Sequence, residues 1–426
     1  MWGGAISAKQ RALRLVVALG VLGGAVLVAA APAPATPQHA ALPESTPPPP
    51  APYFTDLTGA QVSVKGSYTP IVGRFTRLDL DDIIWYAPAW LGSSGIDRRW
   101  TPCVGCPGGP FTKSDLAHQI HGDYEPVVGD FAGDGHDDII WIGYNAGSFL
   151  WTNDGDGGFI SSALNTSGAS TEDLAATLPD SRLGSGKDDL IWSRADHSPW
   201  NSVMWIFPDD GSGIPLRKEI PEINGLIVGD FDGNGASDLM DAPWAALCDD
   251  NPYDGDCPAT EYGTPLTYRR RATGESTTFT EAKQRINNNY WPVVGRFEGT
   301  GDPTDDIVWV GGWGTIDRSR TWPPYNWYDG PDGLWTGTPS GHFAKTTTSI
   351  RVISETVLLT RDSGDTILFP TIGRLWYLRS AGPILRSVPA IEAPSGFTGR
   401  FFTPDRDDYF AYRPGTAVDH LYHPTK

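Results

Sequence analysis

One short loop carries the residues with the clearest chemistry. Asp230, Asp232 and Asn234 stand at alternating positions, glycines occupy 233 and 235, and Asp238 follows. Calcium takes roughly six to eight hard oxygen ligands from a flexible loop. Alternation turns three side chains the same way, the glycines permit a tight curl, and Asp238 closes the set from the next strand. The main-chain carbonyl of Ala236 is a natural further ligand. The competing interpretation is an Asx-rich turn that needs no metal. A second loop repeats the frame with Asp130, Asp134 and Asp138, but Ala132 takes the third position. With one ligand fewer, a weaker calcium site is expected there.

Catalytic signals are poor by comparison. Gly184-Ser185-Gly186-Lys187 lacks the leading Gly and trailing Ser/Thr of a phosphate loop. No H-E-x-x-H and no G-x-S-x-G occurs. His118 and His121 have no acidic constellation beside them, so no catalytic residue is assigned. Trp90, Trp100, Trp200, Trp313, Trp322 and Trp327 read as loop aromatics that could stack on sugar rings. The competing interpretation for them is local packing.

The elements that must hold these loops repeat along the chain. Residues 126–142 read P-V-V-G-D-F-A-G-D-G-H-D-D-I-I-W-I, and related phrases stand at 70–86, 183–193, 227–242, 292–310, 361–369 and 399–412. The equivalent positions Trp85, Trp141, Trp192, Asp241, Trp309, Phe369 and Ala411 are separated by 56, 51, 49, 68, 60 and 42 residues. Self-similarity at this period marks a propeller or solenoid. Each unit offers apolar strands broken by Gly/Asp/Asn turns, enough for a four-stranded antiparallel blade. The fold expected is all-β: a seven-bladed β-propeller. The last unit is short, so a strand from residues 53–66, which include the alternating Gln61-Val62-Ser63-Val64, is expected to complete it and close the ring.

The phrase V-V-G-D-F-x-G-D-G-x-D-D-I-I-W resembles the FG-GAP/VCBS repeat of integrin alpha-chain propellers and many secreted bacterial proteins. The resemblance spans nearly all of residues 53–426. It implies a calcium-holding propeller and leaves function open, because one scaffold serves many tasks. Three units depart from the pattern, with Arg74, Arg296 and Arg400 in place of the first Asp. A guanidinium there is expected to pair with Asp82, Asp306 or Asp408 and take over the work of the ion.

The ends and the composition set the context. Lys9, Arg11 and Arg14 precede an apolar run to Ala31, with small residues beyond, as in a secretory signal peptide over 1–35. Residues 36–52 form a Pro/Ala-rich linker ending in Pro47–Pro50. A secreted, extracellular or loosely surface-associated protein is expected, with no membrane span once the signal is cleaved. An exported location favours disulfides, with Cys103–Cys106 and Cys248–Cys257 as the local pairings. The net charge of −19 argues against nucleic acid. The function expected is a non-catalytic, calcium-stabilised monomer that binds a glycan or an extracellular protein. An integrin-like adhesion module and a polysaccharide lyase or hydrolase are the alternatives.

Overall fold

The computed structural model describes residues 53–425 apart from several connecting segments, the longest being 89–95, 165–173, 179–186, 194–201, 208–214, 242–263, 272–278, 314–332 and 349–355. The described strands pair into seven four-stranded antiparallel sheets of a β-propeller. β1 (Phe54–Asp56) leads the chain. The first sheet holds β2 (Thr69–Gly73), β3 (Asp82–Tyr86), β4 (Arg98–Pro102) and β5 (Phe111–Asp115). The second holds β6 (Tyr124–Gly129), β7 (Asp138–Gly143), β8 (Ser148–Asn153) and β9 (Phe159–Leu164). The third holds β10 (Leu174–Leu178), β11 (Asp189–Ser193), β12 (Ser202–Ile206) and β13 (Leu216–Ile220). The fourth holds β14 (Leu226–Gly229), β15 (Asp238–Asp241), β16 (Thr264–Arg271) and β17 (Phe279–Ile286). The fifth holds β18 (Asn289–Gly295), β19 (Asp306–Trp313), β20 (Gly333–Thr336) and β21 (Ala344–Thr347). The sixth holds β22 (Val357–Leu359), β23 (Thr366–Phe369), β24 (Arg374–Arg379) and β25 (Gly382–Ser387). The seventh holds β26 (Ser395–Thr403), β27 (Arg406–Tyr412) and β28 (His420–Pro424), with β1 paired antiparallel on β28. Val62–Val64 is not the pairing segment, and Gln61 lies outside the described residues. Val62 and Val64 are instead buried beside Trp85 and Leu421, and the Val64 N–H donates to Asp419.

The core lies in the joints between sheets, which explains the unbroken apolar runs of the second strands. Ile83 and Trp85 pack with Phe401, Phe410 and Tyr412 of the seventh sheet. Ile84 and Tyr86 face the other way, onto Ile139 and Trp141 of the second. Alternate side chains of a strand point to opposite faces, and here both faces are covered, so period-two polarity disappears. The repeated Trp faces the preceding sheet each time it is described. Trp85, Trp141 and Trp309 lie edge-on to Trp100, Trp151 and Trp335 on the neighbouring strand, centroids 5.2 Å apart in every case. Such pairs add about 0.5–1.5 kcal/mol beyond burial.

A polar clasp crosses the same joints. The first Asp of each Asp-Asp or Asp-Thr pair accepts from the main-chain N–H that ends the inner strand of the preceding sheet, and its own N–H donates back. The pairs are Arg74–Asp137, Asp130–Asp188, Asp230–Asp305, Arg296–Asp365, Thr360–Asp407 and Arg400–Asp81. The side-chain bonds run from 2.7 to 2.9 Å. The second Asp has a different task and satisfies the turn within its own sheet, as when Asp82 accepts from the N–H and hydroxyl of Thr76. Tyrosines tie the opposite face: the Tyr86 hydroxyl donates to Gly122 O and accepts from Tyr124 N, and Tyr412 repeats this with Gly66 and Tyr68.

Candidate metal centre

The loop between β14 and β15 carries the acidic frame. Gly233 and Gly235 sit at φ 68° and 90°, values that a side chain would strain. The curl between them lays the loop back on itself. A Cβ at Gly233 would also meet Pro303 at 2.8 Å, so the loop packs tightly on the fifth sheet.

Asp230, Asp232 and Asp238 each offer an oxygen within 4.8 Å of the other two, and all three side chains are buried. It is the one such group among the described residues. The hydrogen bonds around it are local. Asp230 Oδ2 accepts from Gly235 N at 2.9 Å, and Asp232 Oδ1 accepts from Asn234 N at 3.0 Å. The Asn234 carboxamide donates to Asp232 and accepts from Ala236 N, which places the Asn234 oxygen and Ala236 in the same turn. Asp230 Oδ1 is buried and has no hydrogen-bond partner. Burial pushes the Asp230 carboxyl up to about 6, Asp305 and Asp232 push the same way, and the Gly235 amide resists. A buried carboxylate oxygen without a donor is costly. Converging hard oxygens with that deficit fit a divalent cation. Asp230, Asp232, Asn234 and Asp238 would hold it, and Ala236 offers its carbonyl from the same loop. The chemistry supplied would be charge neutralisation, which would lock the loop.

The second loop has the same curl, with Gly133 and Gly135 at φ 77° and 89°. Its carboxylates are spent differently. Asp130 Oδ1 accepts from Gly133 N and Asp134 N, and its Oδ2 accepts from Gly135 N. Asp138 accepts from Ala132 N and Asn153 N, both at 2.7 Å, and Asp134 accepts from His136 N. These three aspartates do not converge as the fourth-sheet set does. With alanine at position 132, the third-position carboxylate that stands beside Asp230 as Asp232 has no counterpart here. Burial raises Asp138 to about 7.

The arginine partners differ from those expected. Arg74 Nη2 reaches Asp137 Oδ1 at 3.0 Å, Arg296 Nε reaches Asp305 Oδ1 at 3.0 Å, and Arg400 Nε stands 3.8 Å from Asp407 Oδ1. Each guanidinium meets a clasp aspartate. The second aspartates are taken by main-chain amides, as when Asp306 accepts from Phe297 N and Gly337 N, and Asp408 additionally meets His423 Nδ1 at 2.5 Å.

Of the aromatics expected in loops, Trp100 is buried on β4 at 3% exposure, with the Lys113 ammonium 3.7 Å over its ring. It belongs to the core because its register partner is Ile83 and its neighbour is Trp85. Trp313 ends β19. Trp90, Trp200, Trp322 and Trp327 lie outside the described residues, as do Cys248 and Cys257. Cys103 and Cys106 are disulfide-bonded, their Cα atoms 5.6 Å apart. No described helix is long and apolar enough to cross a membrane.

No family model and no curated relative matches the chain. Two solved structures resemble it in fold, those of BBS1N in complex with ARL6DN soaked with mercury and with lead. The first aligns at 8% identity and a TM-score of 0.45, the second at 7% and 0.44. Each alignment covers 88% of this chain and 98% of the other. A likeness at this level adds no residue to the site.

Proposed function

We propose that the chain is a secreted, calcium-stabilised binding propeller of FG-GAP/VCBS type that performs no catalysis and recognises a glycan or an extracellular protein. On this reading residues 1–35 direct export, 36–52 form a spacer, and the seven sheets form one closed ring latched by β1. The Arg400–Asp81 clasp and the pairing of β1 on β28 support closure. The observation that carries the calcium assignment is Asp230 Oδ1, buried without a donor beside Asp232 and Asp238. The second loop is a weaker site that fills only at higher calcium, because its carboxylates already have amide partners.

Trp200, Trp322 and Trp327 are residue types that suit sugar faces and protein anchors, and they are the proposed contributors to binding. Calcium titration by calorimetry tests the reading. One site that is tight in the wild type and lost in Asp232→Ala supports it. An absence of calcium heat at millimolar concentration contradicts it.

A further inference from the structure

Among the described residues, the outermost strand of every sheet has one edge without a partner strand. Such edges invite pairing with another chain unless charge, proline or distortion blocks it. Six of the seven carry a block. β5 has Lys113 and Asp115, and β13 has Arg217, Lys218 and Glu219. β17 has Glu281, Lys283 and Arg285, β21 has Lys345, β25 has Pro383 and Arg386, and β1 has Asp56. β9 has none: it reads Phe-Ile-Ser-Ser-Ala-Leu, and its four central residues are all exposed. It pairs with β8 alone among the strands. Ile160, on this strand, is 66% exposed, more than the other large hydrophobic side chains left in solvent among the described residues.

We propose that β9 is an interaction surface for a second copy of this chain, joined by antiparallel β9–β9 pairing across a two-fold axis. The pairing is self-complementary, since Ile160 of one copy falls near Ala163 of the other and the two serines meet at the centre. Charge favours this edge. With a net charge of −19, two copies repel over most of their surface, and β9 is the one outer strand that adds no charge to the contact. Two edges of six residues bury less area than a standard interface, so the dimer is weak and concentration-dependent. This departs from the monomer expected from the sequence, and it rests on neither calcium nor a glycan.

Sedimentation equilibrium of the folded protein over a concentration series tests the proposal. A monomer–dimer equilibrium is expected, with Ile160→Lys raising the dissociation constant at least about tenfold. Leu216→Lys changes another exposed large apolar residue, on the charged β13 edge, and leaves the equilibrium unchanged. Circular dichroism and an unchanged melting point show that each variant is folded. A wild type that stays monomeric to millimolar concentration, or a dimer indifferent to Ile160→Lys, overturns the proposal.

Discussion

Arg400 and Asp81 stand 319 residues apart and clasp each other twice: Arg400 N donates to Asp81 Oδ2 at 2.7 Å, and Asp81 N donates to Arg400 O at 2.9 Å. The same pair of bonds recurs at five other described joints. The first carboxylate of the repeated Asp-Asp is therefore a fastener between sheets.

Removing a fastener should be expensive. In Asp407→Ala the Thr360 N–H loses its acceptor at 2.8 Å in a buried joint. A loss of about 2–3 kcal/mol is expected. Asp79→Ala is the contrast. Asp79 is half exposed and pairs only with the equally exposed Arg77, so a loss below about 0.5 kcal/mol is expected. Urea unfolding of the two variants should separate them clearly.

The two acidic loops should respond differently to substitution. Asp130→Ala removes a carboxylate that holds three main-chain amides, so it should destabilise the protein already in chelator, with only a small further loss in calcium. Asp232→Ala should destabilise it chiefly when calcium is present. Melting points of both variants in calcium and in chelator would show the split.

Stability should rise as the medium becomes mildly acidic when metal is absent. Burial pushes Asp306 up to about 7 and Asp407 up to about 6. An unfolded Asp titrates near 3.9. The native state then binds more protons than the unfolded state between about pH 4 and 7, so stability falls as pH rises through that window. Asp405, lowered to about 2 beside Arg406, works the other way below about pH 4. It is largely exposed and contributes little. In metal-free buffer the melting point at pH 5 should exceed that at pH 8. The opposite order would contradict the burial described for these carboxyls.

The edge-on tryptophan pairs should dominate the joints. Trp141 is 1% exposed and touches Tyr86, Tyr124 and Trp151. Trp141→Ala should cost about 3–5 kcal/mol. Lys113→Ala, which removes the ammonium over Trp100 together with the chain that carries it, should cost about 0.5–1 kcal/mol. Chemical denaturation of both variants checks the ranking.

What could be read in advance followed from local rules. The Trp85, Trp141 and Trp309 slots, the positive-φ glycines of both acidic loops, and the strands around them all depend on neighbours within one repeat. The rest depended on particulars that the phrase does not carry. The partner of Arg74 is Asp137, one sheet away, and nothing in the phrase around Arg74 points across a joint. Trp100 reads as a loop aromatic in the sequence because its strand, Arg98–Pro102, has two adjacent arginines, one large apolar residue and a closing proline. Phe54–Asp56 is too short to register as a strand, and the better-alternating Gln61–Val64 drew attention instead. The difference between Asp130 and Asp230 turns on which carboxylate oxygens find amide donors, a property of folded loops.

The most direct test of the calcium-stabilised propeller is a thermal melt of the folded protein with excess calcium and with EGTA, beside the same pair for Asp230→Ala. A ligand bound only by the native state raises the melting point by mass action. A clear rise with calcium in the wild type and a much smaller one in Asp230→Ala, from the weaker second loop alone, is the predicted result. Equal melting points in calcium and EGTA for the wild type would contradict the account and leave the Asp230 loop as a turn without an ion.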